Sequence, residues 1–559
     1  MPPWRGAFFF LISMSVLVVI PARGGSKGIP RKSIRPVAGK PMISYAIRAA
    51  LAARGVDRVV VSTDDDEIAL LSQRFGAEAL LREASLAADQ VTLDPVVVRA
   101  AEQAEARYHE RYDIVVTIQP TSPLVQAGDI ERALALFAAH PQADSVLSVV
   151  DDRHLRWTIR DGQPAPDYIA RVNRQQLPPS FRETGAIIAC RRPQLQTGTR
   201  IGKHIQLLEM PADRSFDIDS VADLFLCESL LGRKKIVFAV VGYPRVGLGH
   251  AYRAAMLAHE MVRHELHFVC DADSALAAEH LRQFNYPVTQ APAGGLLDTI
   301  AGLKPDLVIN DILDTDAAYV QALRALGCKV VNFEDLGSGH EHADLVFNAL
   351  YPGRSPLPQV RCGAEYFCLR DEFLYAPESP VRDTVAAVMV TFGGVDEGNL
   401  TARVLELIAP LCQARGIALD VVVGPGYAHH AELDAARARH AGAGIAVTHS
   451  TRRISDHMAR ADLAITSGGR TVLELASLGV PTLVICQNRR ETTHTFASER
   501  NGVMNLGFHG ELDDGRIVEA FATLLDNPAL RRDMRARAHA LDLSQGKARV
   551  IGQILALLD

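Results

Sequence analysis

Two groups of residues in the first 220 positions have the types and spacing for phosphate chemistry. One is the loop of VLVVIPARGGSKGIPRK, Val16 to Lys32, where Gly24, Gly25 and Ser26 sit among Arg23, Lys27, Arg31 and Lys32. Small residues let backbone N–H groups curl around an anion, and cations beside them match the charge of a polyphosphate. The other is SFDIDSVADL, where Asp217 and Asp219 stand two apart. On an extended segment both carboxylates face one side, and paired hard oxygens are what Mg²⁺ bridging a triphosphate requires. The plainer readings are a basic surface turn for the first group and a helix cap at Asp219 or Ser220 for the second. The density of cations beside small residues favours a phosphate site.

These residues need a scaffold that presents strand ends. The apolar, β-branched run before the loop reads as a buried parallel strand. PMISYAIRAALAARG then has helical periodicity, and DRVVVSTDDDEIALLSQRFG gives a strand, an acidic turn at Asp64 to Asp66 and a helix. The alternation continues through VTLDPVVVRAAEQAEARY and DIVVTIQPTSPL, which predicts a doubly wound parallel sheet with ligands at the carboxyl ends of its strands. Gln119, Thr121 and Ser122 stand at such an end.

A second series starts after the polar junction LGRKK, Leu231 to Lys235. KKIVFAVVG leads into a loop ending in Gly247, Gly249 and His250, which opens a helix with an imidazole at its start. Further βα units follow, and after a proline-rich passage at Tyr351 to Pro358 another set carries Gly393, Gly394, Gly468 and Gly469 at strand ends. Two similar halves in tandem predict two Rossmann-like lobes with a cleft between them, where paired glycines meet a diphosphate.

At 559 residues the chain exceeds one core. The expected divisions are 1–13, 14–230, 231–375 and 376–559. A formal net charge of −6 argues against general nucleic-acid binding. Eight cysteines without a CxxC pair give neither a zinc site nor a disulfide framework, and a reducing, cytoplasmic setting fits them. Trp4 and Arg5 before GAFFFLISM mimic a signal peptide, but the apolar run merges with the strand that positions the loop and is short for a membrane span. The expectation is therefore that Met14 or a near neighbour is the working start, that residues 1–13 are dispensable, and that no membrane is engaged.

PARGGSKGIPRKSI, the GKP at Gly39 to Pro41, STDDDEIA, QPTSPL, NRQQLPPSFRETGAII and FDIDSVADL fall in the order seen in acylneuraminate cytidylyltransferases, a family that residues 16–229 therefore resemble. Those enzymes activate nine-carbon 3-deoxy-2-keto acids with CTP and release pyrophosphate. The resemblance implies that Arg23, Lys27 and Lys32 neutralise the triphosphate with Gly24, Gly25 and Ser26 around it, that Asp217 and Asp219 hold Mg²⁺, and that Gln119 and Arg174 face the acid sugar. It also implies a homodimer through the Asp151 to Ser180 segment. Ser33, Val125 and Thr184 stand where the family usually has Asn, Arg and Asn. The latter two fall where the acceptor sugar is expected, so a related bacterial nonulosonic acid is as good a substrate as ordinary sialic acid.

GLGHAYR, NFEDLG, FNALY, FGGVDEGNLT, SGGRTVLELASLGVP and CQNRRE, over residues 235–500, are similar to the GT-B fold and more narrowly to the UDP-sugar hydrolases of pseudaminic acid biosynthesis and their spore-coat polysaccharide relatives. This implies a metal-free site in which His250 is general base or water orienter, Glu474 contacts the uridine ribose, Asn488 lies in the nucleotide loop, and Gly249, Gly393, Gly394, Gly468 and Gly469 cradle the diphosphate. NDILD, after Val308, lacks the aromatic residue expected two or three places beyond the Asp. A glycosyltransferase and a silent nucleotide-sugar sensor remain the alternatives for this half.

Overall fold

The computed structural model describes residues 14–25, 28–88, 90–243, 248–351, 355–377 and 382–558, to which every structural statement here refers. Residues 1–13, Ser26, Lys27 and Gly247, all singled out above, lie outside the described residues. The chain divides into two compact units between Arg233 and Lys234.

In the first unit seven strands form one sheet: β1 (Val16–Pro21), β2 (Arg58–Thr63), β3 (Glu78–Leu81), β4 (Ile114–Ile118), β5 (Ser145–Asp151), β6 (Phe181–Arg191) and β7 (Ile205–Glu209), in the order β7-β5-β6-β4-β1-β2-β3. β1 is central, and its alternate residues feed two cores. Val16, Val18 and Ile20 pack with Ile43 and Ile47 on one face, while Leu17 and Val19 pack with Val97, Ala100 and Ala104 on the other. Burial on both faces is why the run is apolar throughout rather than alternating. The expected all-parallel sheet is corrected at one strand, because β6 runs antiparallel to both β4 and β5. After β5 the chain leaves the sheet in an arm bearing the hairpin Trp157–Arg160/Gln163–Pro166 and returns in the reverse direction, a path that needs no helical crossover.

The second unit has two parallel sheets. β8 (Lys235–Val240), β9 (Glu265–Cys270), β10 (Val288–Gln290), β11 (Leu307–Asp311), β12 (Lys329–Phe333), β13 (Leu345–Asn348) and β14 (Val360–Cys362) lie in the order β10-β9-β8-β11-β12-β13-β14. β15 (Ala387–Val390), β16 (Ala418–Val423), β17 (Ile445–His449), β18 (Leu463–Thr466), β19 (Thr482–Cys486) and β20 (Val503–Phe508) lie in the order β17-β16-β15-β18-β19-β20. Every pairing in both sheets is parallel, as buried crossover units require.

The helix Gly546–Leu555 follows the second lobe in sequence but packs on the first. Val550 and Ile554 share a core with Ile236, Phe238 and Phe268. Lys547 anchors it, its Nζ donating to Glu260 at 2.8 Å and pairing with Asp371. Gly546 is pressed so closely on the backbone that a Cβ there would stand 2.0 Å from the Phe367 carbonyl oxygen. Gly546→Ala must therefore push the helix off its seat, and calorimetry of the full chain is expected to show a loss of about 1–3 kcal/mol, the usual cost of overpacking. No described helix is long and apolar enough to cross a membrane.

Candidate functional site

In the first unit the site is built at the carboxyl end of β1. Past Pro21 the Ala22 N–H donates to Ser62 O at 2.9 Å, and the Gly24 N–H donates to Asp64 Oδ1 at 3.2 Å. A Cβ at Gly24 would come within 2.6 Å of Asp65 Oδ2, so only glycine passes here. Asp65 caps the helix Asp66–Arg74, its Oδ1 accepting from the Glu67 and Ile68 amides at 3.0 Å each, and its Oδ2 accepts from Arg31 Nη1 at 2.5 Å. Burial alone would raise the Asp65 carboxyl, yet Arg31 and the cap amides hold it below the usual range. Arg31, at φ +58°, pairs with Glu67 as well, so this cation latches the loop to its own acids.

Lys32 reaches the facing segment. Its Nζ donates to Ile218 O at 2.6 Å and to Asp219 Oδ1 at 3.0 Å. The Ile218 N–H donates to Thr121 O at 2.9 Å, which laces the QPTS turn to FDIDS. Asp217 Oδ1 is buried without a hydrogen-bond partner, whereas the Asp219 side chain is 76% exposed. Burial pushes the Asp217 carboxyl up and the Asp219 charge adds to this, while the Thr121 hydroxyl and the Lys32 charge oppose it. An open pocket of about 490 Å³ runs from these two acids to Arg182, Glu183, Thr184 and Gly185. Gln119 lies against Gly185 of this wall, its Nε2 only 2.7 Å from where a Gly185 Cβ would stand.

Several expectations change here. Arg174 is exposed on the arm, where it adds to the lowering of the Asp151 carboxyl that Arg153 chiefly causes, and it does not line the pocket; Arg182, within the FRETGAII stretch, does. Val125 lies in the main core at 4% exposure, out of reach of a sugar, because the helix behind it is packed against β5 and β7. Thr184 turns its hydroxyl into the sheet, 2.6 Å from Ser148 Oγ. Arg82 carried no sequence signal, yet it is buried beneath the loop, donating to Ser62 O and Asp64 Oδ1 at 3.3 Å each. Burial and then the charge of Arg23 lower its pKa.

In the second unit Gly249 and His250 open the helix Gly249–Glu260. His250 Nδ1 lies 2.5 Å from Asp311 Oδ1 at the end of β11. Asp311 also accepts from Arg253, at 2.7 Å from Nε and 2.6 Å from Nη2, and Arg253 Nη1 donates to Glu334 at 3.1 Å. Burial would raise the Asp311 carboxyl, but Arg253 and His250 hold it well below the carboxylate range. An ionised acid only accepts, so Nδ1 carries a proton and the ring is held with Nε2 as its other edge. The expected cradle across the cleft is corrected at Gly468, whose N–H is spent on the buried Glu491 carboxylate at 3.2 Å, with the Gln487 N–H at 2.7 Å. Gly469 stands beside the same carboxylate. Gly393 and Gly394 meet the Gly424 turn, where a Cβ would come within 2.5 Å of them, and Gly394 O accepts from Gly426 N. Glu474 is 7% exposed and takes Arg370 Nε at 2.9 Å, and Asn488 Oδ1 accepts from the Glu491 N–H at 3.0 Å. These two side chains are engaged within the protein.

A sheet with its ligand loop at the end of the central strand, followed by two parallel lobes, defines a Rossmann-like nucleotidyltransferase domain joined to a GT-B-like region. A family model described as Cytidylyltransferase matches residues 17–157. The post-translational flagellin modification protein B of Campylobacter coli is 30% identical over 228 residues, 40% of this chain and 97% of its own length. The N-acylneuraminate cytidylyltransferase of Oncorhynchus mykiss is 34% identical over 212 residues, 36% of this chain and 47% of its own, so the chain spans about half the length of that relative. Among solved structures, MurG of Acinetobacter baumannii aligns with a TM-score of 0.44 at 16% identity, over 58% of this chain and 99% of its own. Through its first unit, the chain belongs to the cytidylyltransferase family.

Proposed function

We propose that the first unit transfers the cytidylyl group of CTP to a nonulosonic acid and that the second hydrolyses a UDP-sugar, making the chain a bifunctional, cytoplasmic enzyme of nonulosonic acid biosynthesis. The observation that carries the first half is the buried, unpartnered Asp217 oxygen beside Asp219 and Lys32. Two hard oxygens, one exposed and one desolvated, suit Mg²⁺, which when bound supplies charge to the triphosphate. Lys32 and Arg23 would neutralise phosphate oxygens and Gly24 and Gly25 would let the chain approach them. The sugar's anomeric hydroxyl attacks the α-phosphorus, forming the new O–P bond as the bond to the β-phosphate oxygen breaks and pyrophosphate leaves, its own proton passing to solvent. Positioning and charge neutralisation are the whole of this catalysis, and no side-chain nucleophile is used.

Gln119 and Arg182 border the space where the acid sugar would lie, and a guanidinium suits its carboxylate. The name of the trout relative supports an acid-sugar acceptor, and a homodimer through the arm is supported by Trp157 and Ile159, which stand 60% and 67% exposed there. For the second unit, the His250–Asp311 pair supports water activation at the anomeric carbon, with Nε2 taking the proton.

The test is pyrophosphate release from CTP with sialic, legionaminic, pseudaminic and 3-deoxy-octulosonic acids, alongside product analysis with a UDP-sugar. Preference for the eight-carbon acid would overturn the substrate class. Free hexose and UDP alone, with or without candidate acceptors, mark a hydrolase; a new glycoside marks a transferase.

A further inference from the structure

Arg470 is the unusual cation of the second unit. It follows the Ser467-Gly468-Gly469 turn of the second lobe, and its Cδ lies 3.5 Å from where a Cβ on Gly249 of the first lobe would be. Neighbouring arginines all have acids: Arg253 has Asp311 and Glu334, Arg370 has Glu372 and Glu474, and Arg490 has Asp314. Arg531, buried elsewhere in the lobe, donates to four backbone carbonyls. The Arg470 guanidinium donates from Nη2 to Cys368 O at 3.2 Å and lies over the Phe367 ring at 4.7 Å. Its Nη1 is shut off from solvent and has no hydrogen-bond partner, and Glu474 and Glu334 act on the guanidinium through charge alone, without an ion pair. A desolvated guanidinium with an idle donor is costly unless an anion completes it.

We propose that Arg470 binds the distal phosphate of a nucleoside diphosphate held between the two lobes. The inference rests on the nucleotide-sugar reading of this cleft and adds the residue that reads the diphosphate. Gly249 precedes His250, so an anion on Arg470 sits beside the imidazole, and in a nucleotide sugar the phosphate next to the reacting carbon is the distal one. The helix Gly249–Glu260 starts at the glycine that Arg470 approaches, so its positive end lies near the guanidinium. With Gly468 spent on Glu491, Arg470 takes over the role expected of that glycine.

Titration calorimetry of the full chain with UDP and UMP, on wild type, Arg470→Met and Arg470→Lys, tests this. Wild type is expected to bind UDP more tightly than UMP, Arg470→Met to lose that preference by roughly tenfold to a hundredfold with UMP affinity unchanged, and Arg470→Lys to fall between, keeping the charge without the fork. Without ligand, Arg470→Met is expected to melt no lower than wild type, because an unpaired cation is removed; should it fail to fold, Arg470→Lys carries the comparison. A UDP preference that survives both substitutions overturns the role of Arg470 and leaves the nucleotide-sugar reading standing. A wild type that binds neither nucleotide overturns both.

Discussion

Replacing Asp217 and Asp219 together with asparagine is expected to end CMP-sugar formation, lowering pyrophosphate release by a factor of about 10³ or more, as loss of fixed charge at a phosphoryl centre does. Asparagine keeps the shape of each side chain, so the loss reads charge rather than packing. Asp219 is mostly exposed, and its replacement frees Lys32 from its only carboxylate partner among the described residues. Asp219→Asn alone should therefore weaken the response to Mg²⁺ while CTP still binds. Asp217→Asn removes a desolvated charge that burial already disfavours, so the variant should be no less stable than wild type. The sign follows from the raised pKa: an acid harder to ionise in the folded chain destabilises it at neutral pH, and the penalty fades as pH falls through the folded value. A doubly substituted chain that keeps its rate within about threefold would remove the basis of the phosphate site.

His250→Ala is expected to lower UDP release from a UDP-sugar by about 10²–10⁴, the usual worth of a positioned general base, while cytidylyl transfer is untouched and serves as the internal control. Asp311→Asn should lose activity as well, because an amide can donate to Nδ1 and so hold the imidazole in the wrong tautomer. It also strips Arg253 of its main counter-ion, so a falling melting temperature accompanies the loss, as expected when one member of a buried pair is removed. Comparing the two separates chemistry from scaffold. If His250→Ala releases UDP from the sugar at the wild-type rate, His250 is not the base; if wild type binds UDP but releases none from the sugar, the second unit is a sensor rather than a hydrolase.

What could be read from the sequence is local, and what could not is tertiary. The run Val16 to Pro21 announces a central strand because both its faces are buried, and Asp217 and Asp219 share a pocket because an extended segment repeats every second residue. Strand direction is not a local property: β6 carries the same apolar code as its neighbours and is reversed only by the arm before it. Glycine pairs mislead for a related reason. Gly468 has the form of a phosphate cradle, but a carboxylate 23 residues later reaches back and takes its amide. Val125 reads as a departure in a sugar site only until the core behind it is seen. Arg82, Arg182 and Arg470 are three ordinary arginines in sequence, distinguished by burial, by a pocket wall and by the lack of an ion pair.

The returning helix Gly546–Leu555 also sets an order of assembly. The first unit holds all of its strands within 233 residues and can close as soon as these leave the ribosome. The lobe built on β8 to β14 cannot, since Val550 and Ile554 complete its core from nearly 200 residues further along. During synthesis that lobe waits half-covered while its partner lobe is made, so the second unit matures as one body only once Val550 and Ile554 have been added.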